Sequence, residues 1–266
     1  MSQETGEKSR YQVPNLDRAL SVMELLSGES QGLNVSEIAG RLGIPKNSAF
    51  RISVTLENRG YLGRNEVTKR YRLTPKFLML GASMVSEDNL FEKSIDVMRR
   101  LRDETKETVL LGVRLGDEGV VLDHTPGTHR FRFEVDPGTR FHLHTAAPGK
   151  AMLAALPMGE RKALVKSMAM PRFTSNTITD RDEFLQHLVE VGARGYGFDL
   201  GEEMEGQYCV GAAVVDAKGY PIASLWITAP SSRLADGELD VTGRLVKTHA
   251  DEISARLGNL KCQLPV

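Results

Sequence analysis

A chain of 266 residues, 41% hydrophobic and 26% charged, is long enough for one or two domains with a sizeable core. A net charge of −1 gives no global argument for a nucleic-acid partner, and two cysteines, Cys209 and Cys262, exclude a disulfide framework and suit a reducing compartment. No run approaches the roughly 20 apolar residues of a membrane span, and the polar N-terminus MSQETGEKSRYQ lacks the apolar core of a secretory leader, so a cytoplasmic location without a membrane partner is expected.

Residues 1–13 read as a disordered arm. Asn15 is expected to cap a helix running to about Leu26, with Leu16, Ala19, Leu20, Met23 and Leu26 on one side and Leu25 opposite, where a partner chain would contact it. The stretch Val35 to Arg51, VSEIAGRLGIPKNSAFR, then reads as two short helices around a tight turn. Asn34 suits an N-cap, and Glu37 three residues on can complete a capping box. Ile38, Ala39 and Leu42 give the first helix one apolar face, Gly43 suits the left-handed residue that ends it, and Pro45 opens the second helix. Ala49, Ile52 and Leu56 recur at helical spacing and face inward. About 180° away lie Asn47 and Arg51, flanked by Lys46, Ser48 and Phe50. Such a polar, basic stripe fits a DNA major groove. The same periodicity also fits two packed helices with a solvated face, so the charge distribution has to separate the readings.

Between Arg41 and Arg72 the chain holds 8 basic against 2 acidic residues, a local excess of the kind that neutralises phosphates. Tyr61–Arg64 and Arg70–Leu73 flank the polar turn Asn65–Lys69 and form a short ribbon carrying Arg64, Lys69, Arg70 and Arg72. Three helices and a basic hairpin make a winged helix-turn-helix over residues 12–74, with the wing along the phosphate backbone or in the minor groove. Residues 75–88 read as a linker, helical from Lys76 to Val85, whose Gly81 and Ala82 permit a close dimer contact or serve as a plain spacer.

From residue 89 to 262 a second domain follows. An amphipathic helix Leu90–Thr105 carries Phe91, Ile95, Met98 and Leu101, and the pattern then changes to period 2. Strands are expected at Thr108–Leu115, Gly119–His124, Arg130–Val135 and Phe141–His144, and again at Gly197–Leu200, Cys209–Val215 and Ile222–Thr228. Helices are expected at Gly149–Leu156, Gly159–Met168, Arg181–Val191 and from about Asp236 to Leu257. Hairpin-joined strands with helices gathered elsewhere imply an antiparallel sheet in an α/β (α+β) domain suited to sensing a small molecule.

Several constellations could carry chemistry. Gly149-Lys150 opens a helix whose free N–H groups could hold an anion, without a nucleotide-binding GxxxxGK[ST] pattern. Asp199 and Cys209 stand beside strands and could line a polar pocket; a cysteine nucleophile would need a histidine base that no local signature supplies, and a buried free cysteine is the commoner case. His142 and His144, two apart on a strand, are too few for a closed zinc site, so the residues call for neither a metal nor a cofactor. Trp226, the sole tryptophan, is either core or the wall of a ligand pocket.

Four separated stretches now bear on the whole chain: VSEIAGRLGIPKNSAFRISVTLENRGYL (35–62), YRLTPKFLMLG (71–81), FHLHTAAPGKAMLA (141–154) and RGYGFDLGEEMEGQYCVGAAVVD (194–216). In their order and spacing the chain resembles an IclR-type bacterial transcription regulator. The resemblance implies an N-terminal winged helix and a GAF-like effector domain in a dimeric or tetrameric repressor or activator. Its implied partners are double-stranded operator DNA and a small organic-acid-like effector, and it implies no enzymatic activity. It assigns the effector pocket to Asp199, Cys209 and the loop Ala146, Ala147, Pro148 and Gly149. Relatives that bind small keto acids carry two small hydroxyl residues on the late strand, where this chain has Trp226 and Thr228, and many carry threonine in place of Ala146. These departures point away from glyoxylate-like or pyruvate-like effectors. Trp226 either walls a pocket for a ring-bearing or larger ligand or fills the space itself.

Overall fold

The computed structural model describes residues 13–77, 90–234 and 237–262. Backbone contacts divide the chain into two units, residues 1–87 and 88–266. The expected arm and most of the linker helix at 76–85 lie outside the described residues.

In the first unit, α1 (Pro14–Ser27), α2 (Val35–Leu42) and α3 (Lys46–Asn58) precede a hairpin of β1 (Leu62–Arg64) and β2 (Tyr71–Leu73). The capping box of α2 is complete: Asn34 Oδ1 accepts from the Ser36 and Glu37 N–H groups, and Glu37 Oε2 accepts from the Asn34 N–H at 2.8 Å. Gly43 ends α2 at φ 62, where a side chain would be strained. Pro45 stands one position outside α3 as its N-cap. Val22, Leu26, Ile38, Ala49, Leu56, Leu62 and Tyr71 build the core, and the Leu33–Tyr71 bridge stitches the hairpin to the loop before α2.

The first helix departs from expectation in two ways. Val13, with no capping side chain, takes the N-cap position, because Pro14 already occupies the first helical position and Asn15 follows it. The inward face runs through Val22 and Leu26, whereas Leu16 and Leu20 are 58% and 47% exposed. Leu25, expected on the outer side, packs partly against the core.

The second unit is a six-stranded, wholly antiparallel sheet of order β5-β4-β3-β8-β7-β6. Its strands are β3 (Thr108–Leu115), β4 (Glu118–Thr125), β5 (Arg140–His142), β6 (Gly197–Leu200), β7 (Gln207–Val215) and β8 (Pro221–Pro230). The helices are α4 (Leu90–Thr105), α5 (Ala147–Ala155), α6 (Met158–Ser167), α7 (Arg181–Arg194) and α8 (Leu239–Arg256). Alternation sorts the strands into two faces. Val109, Leu111, Val210, Ala212, Leu225 and Ile227 pack with Met98, Leu101, Val246 and Ile253 of α4 and α8. Leu110, Cys209 and Trp226 face the other way, toward α5, which α7 and α6 cover in turn through Met152, Leu153, Phe184 and Leu188.

Three expectations for this unit fail. Residues 130–135 form no strand; they belong to an irregular loop pinned from outside, where Thr108 Oγ1 donates to the Phe133 carbonyl at 2.8 Å and Arg233 donates to Glu107 and to the Phe131 carbonyl. The fifth strand stops at His142, so His144 lies in the following turn and not on a shared strand face. In α4 the buried side is Ser94, Val97, Met98 and Leu101, leaving Phe91 exposed.

Replacing Asn34 by alanine removes both acceptor contacts at the start of α2 and is expected to cost about 1 kcal/mol. Urea unfolding of Asn34→Ala followed by far-UV circular dichroism measures this, with Asn34→Asp, which keeps the acceptor, staying near wild type.

Candidate functional site

The outward side of α3 carries the candidate nucleic-acid surface. Ala49, Ile52, Ser53 and Leu56 are buried, so a turn of about 100° per residue leaves Asn47, Phe50 and Arg51 outward, Lys46 on one flank and Ser48 on the other. Phe50 is 49% exposed, a large apolar ring on an otherwise polar surface. Arg51 and Ser48 also line a groove of about 220 Å³ against Asn15 and Ala19 of α1.

The wing is shaped by its turn. Asn65 Oδ1 accepts from the Val67 and Thr68 N–H groups, and Lys69 adopts φ 55. Lys69 pairs with Glu66 at 3.0 Å in the exposed tip, and the Arg64 guanidinium sits 5.7 Å over the Tyr71 ring. Arg70 is placed otherwise than expected. It donates to the Gly32 carbonyl at 2.7 Å and to Glu37 Oε1 at 2.8 Å, tying the wing to α2. The hydrogen bond from the Asn34 N–H, with Arg70 beside it, holds the Glu37 carboxyl below the usual carboxylate range.

The second candidate site is a cavity of about 180 Å³ between the sheet and the start of α5. Strand register puts Asp199, Cys209 and Thr228 opposite one another on three adjacent strands, so their side chains form one row on one face. Helix α5 can lie directly on β7 because residue 211 is glycine: a Cβ there would stand 2.9 Å from the Pro148 nitrogen. The helix begins at Ala147, two residues earlier than expected, and Ala146 and Pro148 border the cavity. Ala147 and Gly149, expected in the same role, do not line it. Ala147 is buried between Gly197 and Gly211, and a Cβ on Gly149 would collide with the Leu143 backbone.

Trp226 both walls the cavity and packs. Its ring lies 2.9 Å from where a Cβ on Gly112 would stand, and it meets Phe141 edge-on at 5.4 Å. Leu110 and Val121 complete the apolar floor. The polar members that sequence reasoning missed are Thr139, Arg140, Glu203 and Gln207. Gln207 was findable, because two residues from Cys209 on a strand means the same face. Arg140 and Glu203 reach the cavity from an edge strand and a turn, which no periodicity announces.

Under this site runs a buried ion pair. Lys150, 0% exposed, donates to the Phe198 carbonyl at 2.8 Å and to Glu202 Oε1, joining α5 to the turn after β6. Burial pushes the Lys150 ammonium down and the Glu202 carboxyl up. Asp199 accepts from the Glu202 N–H at 2.7 Å, yet burial still raises its pKa to about 6. Burial drives the Cys209 thiol far above its usual range, and its polar neighbours are the Gln207 amide at 3.9 Å and the Thr228 hydroxyl, not an imidazole. A neutral thiol with no base is a packing residue and not a nucleophile. Among the described residues no group of three or more His, Cys, Asp or Glu is positioned to hold a metal ion, and no helix is long and apolar enough to cross a membrane.

Comparison with known proteins places both units in a family context. The family model for the IclR helix-turn-helix domain matches residues 15–66, and that for the bacterial transcriptional regulator IclR C-terminal region matches residues 82–255. The HTH-type transcriptional regulator BhcR of Paracoccus denitrificans is 33% identical over 239 residues, covering 90% of this chain and 85% of BhcR. The regulator KdgR of Escherichia coli is 29% identical over 252 residues, 95% of each chain. The crystal structure of Thermotoga maritima IclR superposes with a TM-score of 0.73 at 28% identity, covering 92% of this chain and 99% of that one.

Because the folded pKa of Asp199 is raised, its contribution to stability is full below about pH 4 and is lost as pH rises toward 6. Asp199→Asn keeps the acceptor for the Glu202 N–H and removes the buried charge. Its melting temperature is expected to exceed that of wild type at pH 8, with the difference vanishing near pH 4, as read by calorimetry across that range.

Proposed function

We propose that this chain, which belongs to the IclR family of bacterial transcription regulators, acts in the cytoplasm as a homodimer that binds operator DNA and responds to a small organic acid held in the cavity. Asn47, Phe50 and Arg51, with Lys46 and Ser48 at the flanks, read the major groove, and Arg64 and Lys69 of the wing contact backbone. A two-fold operator calls for a two-fold protein, and the exposed Leu16 and Leu20 of α1 supply apolar surface for a partner chain.

The observation that carries the effector reading is the register row of Asp199, Cys209 and Thr228 under an aromatic wall of Trp226 and Phe141. A concave, mostly apolar space with a few convergent polar groups is the usual form of a small-molecule site. The Arg140 guanidinium favours an anionic end, and the two rings favour a flat or bulky body. A cavity of about 180 Å³ limits the ligand to a small one. Control then follows from linkage: an effector that binds one arrangement of the protein better than another changes operator affinity, and DNA changes effector affinity by the same factor.

Arg51→Ala is expected to weaken binding to a fragment from upstream of its own gene by about 1–3 kcal/mol, measured by fluorescence anisotropy. Arg70→Ala, by contrast, should lower thermal stability and leave the salt dependence of DNA binding unchanged. Equal DNA losses in the two variants would show that the reading surface is misplaced.

Because the single tryptophan stands in the cavity wall, its fluorescence reports occupancy without a label. Titration with aromatic and aliphatic carboxylates should change the emission saturably, and Trp226→Phe should abolish that signal while calorimetry still detects heat. A flat response across the panel, with no heat, would remove the organic-acid reading.

A further inference from the structure

Glu203 lies in the turn between β6 and β7 and borders the cavity, and it is fixed from outside by two donors. Thr145 Oγ1 donates to its Oε2 at 2.8 Å, and His142 Nδ1 donates to its Oε1 at 3.3 Å. The His142 ring is itself held, tilted against Phe173 at 4.7 Å and set edge-on to His144 at 5.8 Å, and His144 Nε2 donates to the Pro171 carbonyl at 3.0 Å. Thr145 and His144 are buried, so the Glu203 carboxylate is aimed from a rigid base. A carboxylate offers about four acceptor positions, and the two donors take only two of them.

Two further polar groups around the cavity have the same bias. Gln207 Nε2 is committed to Thr228 Oγ1 at 2.9 Å, which leaves the Gln207 carbonyl as its free function. Asp199 adds a second carboxyl, one oxygen of which serves the Glu202 N–H. Against these stands one cation, Arg140, which Glu118 already neutralises at 2.5 Å. The lining therefore carries two carboxylates and one compensated guanidinium, besides Thr139, Thr228 and Cys209, whose hydroxyl and thiol groups can donate or accept. A bare carboxylate entering this space would meet repulsion at the Asp199–Glu203 side and leave the buried Asp199 and the half-buried Glu203 without added donors.

We propose that Glu203, oriented by Thr145 and His142, is the specificity-determining residue for an effector that carries hydrogen-bond donors on its body besides its acid group. This rests on the organic-acid reading and narrows it: the anionic end lies toward Arg140, and a hydroxyl or ammonium group lies toward Glu203 and Asp199. Thr145 and His142 act as positioning residues, because they touch Glu203 and are absent from the cavity lining.

The test uses the full chain and matched probes that differ at one group: propionate, lactate and alanine; phenylpropionate, phenyllactate and phenylalanine; benzoate and protocatechuate. Dissociation constants come from Trp226 fluorescence and calorimetry. In at least one series the donor-bearing member is expected to bind about 10- to 100-fold tighter than its bare counterpart, as for a site built around a donor. Comparing the hydroxyl with the ammonium member tells which donor the site takes. Glu203→Ala should reduce the ratio in that series to near one while the bare acid binds as before or better, and Glu203→Gln should give an intermediate ratio. Thr145→Val, which frees the carboxylate from one anchor, should lower the ratio without changing affinity for the bare acid.

Equal binding of bare and donor-bearing acids, or a ratio that survives Glu203→Ala, overturns the proposal and leaves the organic-acid reading standing. If no member of any series binds, both fall together. A variant that melts with wild type while losing the ratio separates ligand recognition from folding.

Discussion

The buried Lys150–Glu202 pair is the interaction on which the effector half of the molecule depends. Taking both charges out of water is costly, and their attraction returns that cost only if the geometry is held. Here the ammonium also donates to the Phe198 carbonyl, and the Glu202 N–H in turn donates to Asp199. One tie therefore sets three things: the seat of α5 on the sheet, the course of the turn after β6, and the orientation of the cavity carboxyl. The glycines at 197 and 211 serve the same contact from the sheet side by letting the helix backbone approach within van der Waals distance. Remove the lysine and a carboxylate stays buried without its partner, which is the more expensive half of such a pair to leave behind.

The sequence was most informative where structure is local. Asn34, Glu37 and Gly43 form a cap, a capping box and a left-handed stop within one short segment, so α2 was legible residue by residue. The long strands β3, β7 and β8 were legible because alternation over many residues leaves little choice of register. Legibility failed where a distant contact decides. Residues 130–135 alternate well enough to resemble a strand, but the edge next to β4 is taken by β5, and side-chain anchors on Thr108 and Arg233 hold the loop instead. The apolar residues of α1 pointed to two faces, and only the packing of Val22 and Leu26 shows which one is inside.

The same distinction runs through the candidate sites. Asp199, Cys209 and Thr228 share a row because three strands pair in register, and the family resemblance had already singled them out. Glu203 and Arg140 carried no such mark, since a turn and a three-residue edge strand have no period to read. Arg70 shows the opposite failure. A count of basic residues placed it with the phosphate contacts, yet its guanidinium is spent inside the unit on Glu37 and the Gly32 carbonyl. Local charge excess identifies a surface as a whole; which cation of the set is free is settled by the carboxylates within its reach.

The electrostatics of the cavity bear on how an effector could act at all. Asp199 on β6 and Glu202 in the turn after it both have their carboxyl pKa raised by burial, so charge on either is disfavoured by its surroundings. That cost belongs to this arrangement of the turn. A ligand with equal affinity for every arrangement shifts nothing. A ligand that donates hydrogen bonds to Asp199, which lines the cavity, compensates its lost hydration where it is now, and so favours this arrangement over any in which it is solvated. Differential affinity of that kind is the thermodynamic requirement for control. The carboxylate-bearing lining that makes the cavity selective is therefore also what gives its ligand leverage over the conformation of the domain.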